Sequence, residues 1–263
     1  MEAYVMDAFS TRVFGGNQAG VALPERELPD ARMQQVAAEF KHSETAFVRV
    51  EKDGSVTLRY FTPAGEVELC GHATVASFAL LRQLGRIGDG DVTAHTRAGE
   101  LSVTVQGGTV WMDMAKPRLL WELGEDEWDA FYEAYGLTTA DRPEGLTPAI
   151  VSTGLADVML PVRDHDTLMR AVQNEAAVTA LSKKYDVTGV HMFCLGDGCT
   201  AYCSNYAPLY DIPEECATGT SNGALTYYLY LRGIVQPGQE NVFLQGEHMN
   251  RPSEIRSRLY EQD

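Results

Sequence analysis

The sequence repeats itself, and that constrains the fold more than any other feature. Tyr60-Phe61-Thr62-Pro63 and Asn205-Tyr206-Ala207-Pro208 each end a β-like run with an aromatic residue and a proline. An acidic stretch follows, Glu66-Val67-Glu68 or Pro213-Glu214-Glu215. Then comes a turn of small residues, Cys70-Gly71-His72-Ala73-Thr74 or Thr218-Gly219-Thr220-Ser221-Asn222. Each turn opens an apolar helix, through Val75, Phe78, Ala79 and Leu81 or through Leu225, Tyr228 and Leu229. Each helix stops at a glycine suited to a left-handed cap, Gly85 or Gly233. The offset is 148 residues at both ends (71 to 219, 85 to 233). A recurring supersecondary unit of this kind implies a chain of two similar halves.

The repeat extends outward. Helix-like Met33–Phe40 precedes the strand Thr45–Val50, and Val178–Tyr185 precedes Val190–Cys194, at an offset of 145 residues (40 to 185). The three extra residues therefore fall in the second acidic loop. Strands are expected at Val92–Thr96 and Leu101–Val105, matched by Val242–Gln245 and Ile255–Leu259. A further strand, Thr109–Asp113, has no counterpart before Asp263. Either the chain is truncated there or the second half closes differently; a missing strand would leave an unpaired edge. Between the halves, Glu122–Gly136 reads as a helix with Trp128, Phe131, Tyr132 and Tyr135 on one face, and Ala140–Pro148 as a connector.

Composition removes several classes of function. The formal net charge of −16 repels phosphate backbones and anionic membranes. Arg82, Arg86, Arg163 and Arg232 are scattered, so neither nucleic acid nor membrane is an expected partner. No apolar run reaches the roughly 18 residues of a membrane span. Met1-Glu2-Ala3-Tyr4 opens no leader, so a cytoplasmic location is expected. Five cysteines, an odd count, argue against a disulfide framework. Cys199 and Cys203 read as sharing one face of a strand, too far apart for one tetrahedral metal site, so no metal is expected. No P-loop, dinucleotide fingerprint, Gly-x-Ser-x-Gly elbow or His-Glu-x-x-His is present. Direct acid–base work by side chains, without a cofactor, is the simplest chemistry left.

Each glycine turn places backbone N–H groups at a helix N-terminus, where donors and dipole favour an anion. A cleft at the junction of the two halves is the expected site, with both turns gripping a carboxylate and spreading enolate-like charge. The plain alternative is two ordinary helices capped by Thr220 or Ser221. Differences between the halves favour function. Glu44, at a helix end before an apolar strand, stands opposite Gly189 in the repeat. A carboxylate in a partly desolvated cleft suits proton transfer near neutral pH; the alternative is a surface glutamate. His72 lies in the first turn where the second has Thr220, placed either to donate or shuttle a proton or merely to cap the helix. Asn17, after Phe14-Gly15-Gly16, either hydrogen-bonds the substrate or tolerates a left-handed turn.

Asp7-Ala8-Phe9, Phe14-Gly15-Gly16-Asn17, Ser43 through Val48, Arg59 through Pro63, Cys70 through Thr74 and Ala217-Thr218-Gly219-Thr220 occur in an order that resembles the phenazine-biosynthesis isomerase (PhzF-like) family. The resemblance runs to about Pro252. It implies an α+β fold similar to diaminopimelate epimerase. Its two pseudo-symmetric halves, here residues 1–118 and 119–263, are each a mixed or antiparallel sheet wrapped around a central helix. It implies that Glu44 is the principal acid–base residue and that His72 and Glu215 line the same site. Gly71, Gly219 and Thr220 would hold the carboxylate of a small metabolite, in the founding enzyme a cyclic dihydro-hydroxyanthranilate. The resemblance also implies a homodimer. The chain departs from the family where Gln18 follows Asn17 instead of proline, where Glu215 replaces a common aspartate, and where Cys216 replaces Pro or Ala.

Two other readings stay open on the residues. A two-thiol epimerase would use Cys70, but the repeat puts Thr218 in the second thiol's place, with Cys216 two residues early. A binding protein would hold a carboxylate metabolite without turnover. Glu44 opposes that reading, because a second carboxylate facing an anionic ligand weakens its binding.

Overall fold

The computed structural model describes residues 1–261. The chain divides into two compact units, Met1–Ala8 with Asn17–Asp113, and Phe9–Gly16 with Met114 onward.

In the first unit the elements run β1 (Glu2–Ala8), β2 (Asn17–Leu23), α1 (Asp30–Phe40), β3 (Thr45–Val50), β4 (Val56–Phe61), β5 (Glu66–Val67), α2 (Gly71–Gln83), β6 (Gly90–Thr96), β7 (Gly99–Gln106) and β8 (Thr109–Met112). One sheet takes the order β1-β2-β3-β4-β6-β7-β8, with the short β5 against β4. Helix α2 touches β1, β2 and β3 from one end of that order and β7 and β8 from the other, so the sheet curls around it. Its sequence explains why. Ala73, Ala76, Phe78, Leu80 and Leu81 are all buried, and a helix apolar on most sides is stable only when enclosed. Burying a Leu or Phe side chain is worth about 1.5–3 kcal/mol, so this helix anchors the unit.

The second unit contains β9 (Arg118–Glu122), α3 (Glu125–Glu133), β10 (Ala149–Ser152), β11 (Ala156–Pro161), α4 (His165–Met169), α5 (Glu175–Tyr185), β12 (Gly189–Leu195), β13 (Ala201–Ala207), β14 (Ile212–Glu215), α6 (Gly219–Leu231), β15 (Glu240–Gln245) and β16 (Ser253–Arg258). Its sheet runs β16-β15-β13-β12-β11-β10-β9, with β14 against β13. Helix α6 touches β16 at one end and β9, β10 and β11 at the other. Leu225, Tyr228 and Leu229 pack there with Val151, Met159, Phe193, Phe243 and Ile255. The opposite face of the same sheet carries Val190, Met192 and Tyr206, covered by Trp128, Phe131 and Tyr132 of α3 and Val178 of α5.

The two sheets follow the repeat in register. Tyr60 faces Ala46 across β3 and β4, as Asn205 faces His191 across β12 and β13. The three extra residues are accommodated in a 3₁₀ turn, Pro208–Tyr210, ahead of β14. Helices α2 and α6 each span 13 residues, and Gly85 and Gly233 follow them in the left-handed region at φ 66° and 70°. At each end an i→i−5 bond, Arg86 to Leu81 and Ile234 to Leu229, closes the cap.

Some local expectations are corrected. No strand follows β16 among the described residues. The second sheet instead gains β9 on its opposite edge, from a segment the repeat does not cover. Cys199 precedes β13 and shares no strand with Cys203, because β13 begins only at Ala201. Phe14 and Gly16 hold the left-handed conformations of their loop (φ 66° and 67°), whereas Asn17 opens β2 opposite Ala8 and is buried.

Candidate active site

In the first unit the site begins at the start of α2. Cys70 is the residue before the helix, extended at φ −143° and ψ 112°, with no side-chain cap. Thr74 donates its backbone N–H (3.0 Å) and its hydroxyl (2.7 Å) to the Cys70 carbonyl, and the Tyr60 hydroxyl lies 2.6 Å from Thr74 Oγ1. These bonds fix the first turn. The N–H groups of Gly71, His72 and Ala73 precede the first intrahelical bond and point out of the helix end.

Glu44 lies between α1 and β3, past the left-handed Lys41 that ends the helix, and its carbonyl accepts from Gly20 N–H (3.0 Å). Its Oε2 stands 3.3 Å from His72 Nε2. That approach lacks hydrogen-bond alignment, so Oε2 is buried without a hydrogen bond. Cys70 Sγ lies 3.5 Å from Nδ1 and 3.8 Å from Nε2 of the same imidazole. His72 is 9% exposed. Burial pushes its imidazole below the usual histidine range against the opposing pull of Glu44. The ligand atoms of Glu44, Cys70 and His72 all lie within 4.8 Å of one another.

The second unit repeats the turn with different support. Thr218 precedes α6, again extended and without a side-chain cap. Its hydroxyl donates to Glu215 Oε2 (2.6 Å) and its N–H to Gln245 Oε1 (3.2 Å). Gln245, fully buried, also donates to the Glu215 carbonyl (2.7 Å) and to Thr218 Oγ1 (3.1 Å). Asn222 Nδ2 donates to Gln245 Oε1 (2.8 Å) and to the Thr218 carbonyl (2.9 Å), and its Oδ1 faces His191 Nε2 at 3.3 Å. Ser221 donates to the buried carboxylate of Asp157 (2.6 Å), and Thr153 to the Thr220 carbonyl (2.9 Å). Ser221 is therefore committed to Asp157 and does not cap the helix. Sequence reasoning missed Asn222, Gln245 and His191 as supports of this turn. Only His191 carried a signal, as the one polar residue in an otherwise apolar strand; Asn222 and Gln245 sit among other polar residues of their elements.

Gly71 and Gly219 occupy equivalent first positions of the two helices. A Cβ at Gly71 would meet only Met112 Cε at 3.5 Å, and one at Gly219 only Phe9 Cζ at 3.5 Å. Neither glycine has a positive φ. Packing and backbone conformation thus leave both glycines unexplained. Gly189 is different: a Cβ there would lie 1.9 Å from the Tyr206 carbonyl oxygen. The contrast between Glu44 and Gly189 therefore has a steric cause on the second side, and by itself is no argument for function. Cys216 donates to the Gly16 carbonyl (3.1 Å), and burial raises its thiol pKa, both unfavourable for a second catalytic thiolate.

The comparisons agree on a family. The family described as phenazine biosynthesis-like protein (PhzC-PhzF) matches residues 6–263. The uncharacterized isomerase YddE of Escherichia coli is 32% identical over 95% of this chain and 86% of its own length. An uncharacterized isomerase of Deinococcus radiodurans is 34% identical over 94% and 83%. The crystal structure of the PhzF-family phenazine biosynthesis protein of Bacillus anthracis superposes with a TM-score of 0.86 at 25% identity, covering 97% of this chain and 90% of that one. The PhzF-family structure shares this fold, and with its relatives named isomerases the chain is an isomerase. The chain belongs to the phenazine biosynthesis-like protein family. Among the described residues, no helix is long and apolar enough to cross a membrane.

Proposed function

We propose that this chain isomerises a small carboxylate-bearing metabolite by moving a carbon-bound proton, with Glu44 as the acid–base residue and no cofactor. The observation that carries the reading is Glu44 Oε2, buried without a hydrogen bond and 3.3 Å from the His72 imidazole at the start of α2. A carboxylate oxygen that no donor occupies is free to accept a proton from a substrate carbon. His72 can pass a proton to or from Glu44, or donate to substrate. The bare glycines support the rest. Gly71 and Gly219 leave the first N–H groups of α2 and α6 open to close approach, as a carboxylate or an enolate oxygen requires. Thr220 would add its N–H to the second of these turns, and Glu215, held by Thr218, would be a further proton-handling group there. Asn17, buried at the head of β2, is a polar group for orienting the substrate. The protein would act in the cytoplasm as a homodimer.

Deuterium incorporation from heavy water, read by mass spectrometry, tests this. The panel is dihydro-hydroxyanthranilate, diaminopimelate, proline, and several cyclic and unsaturated amino acids. Glu44→Gln should lower exchange by on the order of 10²–10⁴-fold, the usual weight of a general base. Undiminished exchange in that variant would show the assignment to be wrong. Exchange that needs both Cys70 and Cys216 would instead mean two-thiol chemistry.

A further inference from the structure

We propose that Glu44, Cys70 and His72 together form a site for a thiophilic divalent cation, zinc being the probe, and that an ion held there stops proton transfer. The inhibitory half rests on the function proposed above; the binding half stands on geometry alone. The three side chains offer sulfur, nitrogen and oxygen, the donor types of zinc centres. With zinc bonds of about 2.0–2.3 Å, a tetrahedral ion holds its ligand atoms roughly 3.3–3.6 Å apart. Glu44 Oε2 and His72 Nε2 already stand 3.3 Å apart. Cys70 Sγ is 3.8 Å from the same nitrogen, and all the ligand atoms lie within 4.8 Å of one another. Side-chain rotations closing a few tenths of an ångström to about 1 Å would complete three corners, given those bond lengths.

Two further observations point the same way. Glu44 Oε2 is buried and makes no hydrogen bond, so a bound ion would break none there. Cys70 and His72 are 8% and 9% exposed, so water competes weakly for the ion. Three protein ligands leave a fourth position open, the pattern of an accessible zinc site. An ion so held occupies Glu44 Oε2, the atom assigned to accept the proton, and His72 Nε2 beside it. Inhibition would follow from occupancy.

Cobalt(II) titration of the full chain tests the site directly, because a thiolate ligand gives cobalt an intense near-ultraviolet charge-transfer band. One equivalent should bind with that band, and zinc should displace it. Cys70→Ser should abolish the band and weaken zinc, measured against a chromophoric chelator, by about 100-fold or more, beyond the 10–100-fold of an outer-shell change. Glu44→Gln should weaken zinc while keeping the band, and Cys199→Ser should change neither. No band, or a band that survives Cys70→Ser, would overturn the site. Zinc should also suppress deuterium exchange in step with occupancy, and exchange unaffected at full occupancy would overturn the inhibitory half. The two readings fail separately. Cobalt bound through Cys70 with Glu44-independent exchange refutes the catalytic assignment only. Glu44-dependent exchange without cobalt binding refutes the cation site only.

Discussion

Replacing Gly219 by alanine separates a glycine kept for folding from one kept for a ligand. The added methyl would meet nothing nearer than Phe9 Cζ at 3.5 Å, an ordinary van der Waals contact. The position has no positive φ, so alanine fits the native backbone. Within a helix, alanine is worth about 0.5–1 kcal/mol over glycine. For a chain of this size, 1 kcal/mol moves the melting temperature by about 2–4 °C, so the variant should melt at the same temperature or slightly higher. Its activity should move the other way. The methyl sits beside the N–H groups proposed to hold the substrate carboxylate. Losing one charge-assisted hydrogen bond of about 1.5–3 kcal/mol lowers kcat/KM on the order of 10- to 100-fold. The assay pairs calorimetry with deuterium exchange on whichever panel compound exchanges in the parent chain. Gly85→Ala is the counter-case: its φ of 66° strains alanine, so stability should fall by about 1 kcal/mol while exchange of the folded protein persists. A Gly219→Ala chain that is equally or more stable and exchanges within about twofold of the parent would refute the carboxylate-binding role, since an effect that small lies below one hydrogen bond.

Other perturbations test the surrounding structure. Gly189→Ala should fail to fold or lose more than about 3 kcal/mol, because its Cβ would lie 1.9 Å from the Tyr206 carbonyl; soluble yield and chemical denaturation measure this. Gln245→Leu leaves Thr218 N–H, the Glu215 carbonyl and Asn222 Nδ2 each short of a partner; a loss of about 1–3 kcal/mol in urea melts is expected, with exchange weakened as the α6 turn loosens. His191 has its pKa lowered by burial to about 4, against an unfolded value near 6.5. The stability from its neutral form is present above about pH 6.5 and drains away as pH falls through about 4; His191→Gln should flatten that acid limb. His248 behaves oppositely. Glu214, 3.3 Å from it, raises its pKa, so this pair's contribution is complete below about pH 6.5 and is lost as pH rises through the raised value; Glu214→Gln should remove that dependence from pH-resolved melts.

The duplicated pattern carried most of the fold because it is written in periodicity. Apolar residues on most sides of Gly71–Gln83 and Gly219–Leu231 leave a helix no stable place except inside a sheet, and the constant offset of 145 residues through the preceding strands matches their register. The fate of the second sheet's edge was not legible. Leu119, Leu120 and Trp121 of β9 are exposed, so the strand lacks the alternation that marks one buried face, and its place against β10 comes from backbone pairing. The Gly189 carbonyl clash was hidden for a related reason. Sequence gives the residue type at a position but not the backbone atom opposite it, and Tyr206 meets Gly189 only once β12 and β13 pair.

The same distinction separates what was legible in the two turns. Glu44 and His72 could be singled out because each puts a titratable side chain where the repeat has a small or neutral one, and the structure brings the two within 3.3 Å. The second turn gave no such contrast, since its support is a relay of amides. Gln245 and Asn222 satisfy one another and Thr218, and His191 backs Asn222. A buried amide relay is strong only when every member is satisfied, and that depends on partners far apart in sequence. A duplicated fold can therefore keep the same glycine turn in both halves while supporting it by different means. In the first unit the residues beside the turn are titratable, and in the second they are mostly neutral hydrogen-bonding groups. Proton transfer is accordingly assigned first to Glu44, and the α6 turn is expected to lose binding before chemistry when Gln245 is removed. Gln245→Leu should raise KM with kcat largely retained, whereas Glu44→Gln should lower kcat. A Gln245→Leu chain that loses kcat at unchanged KM would place the second turn in the chemical step and overturn that division.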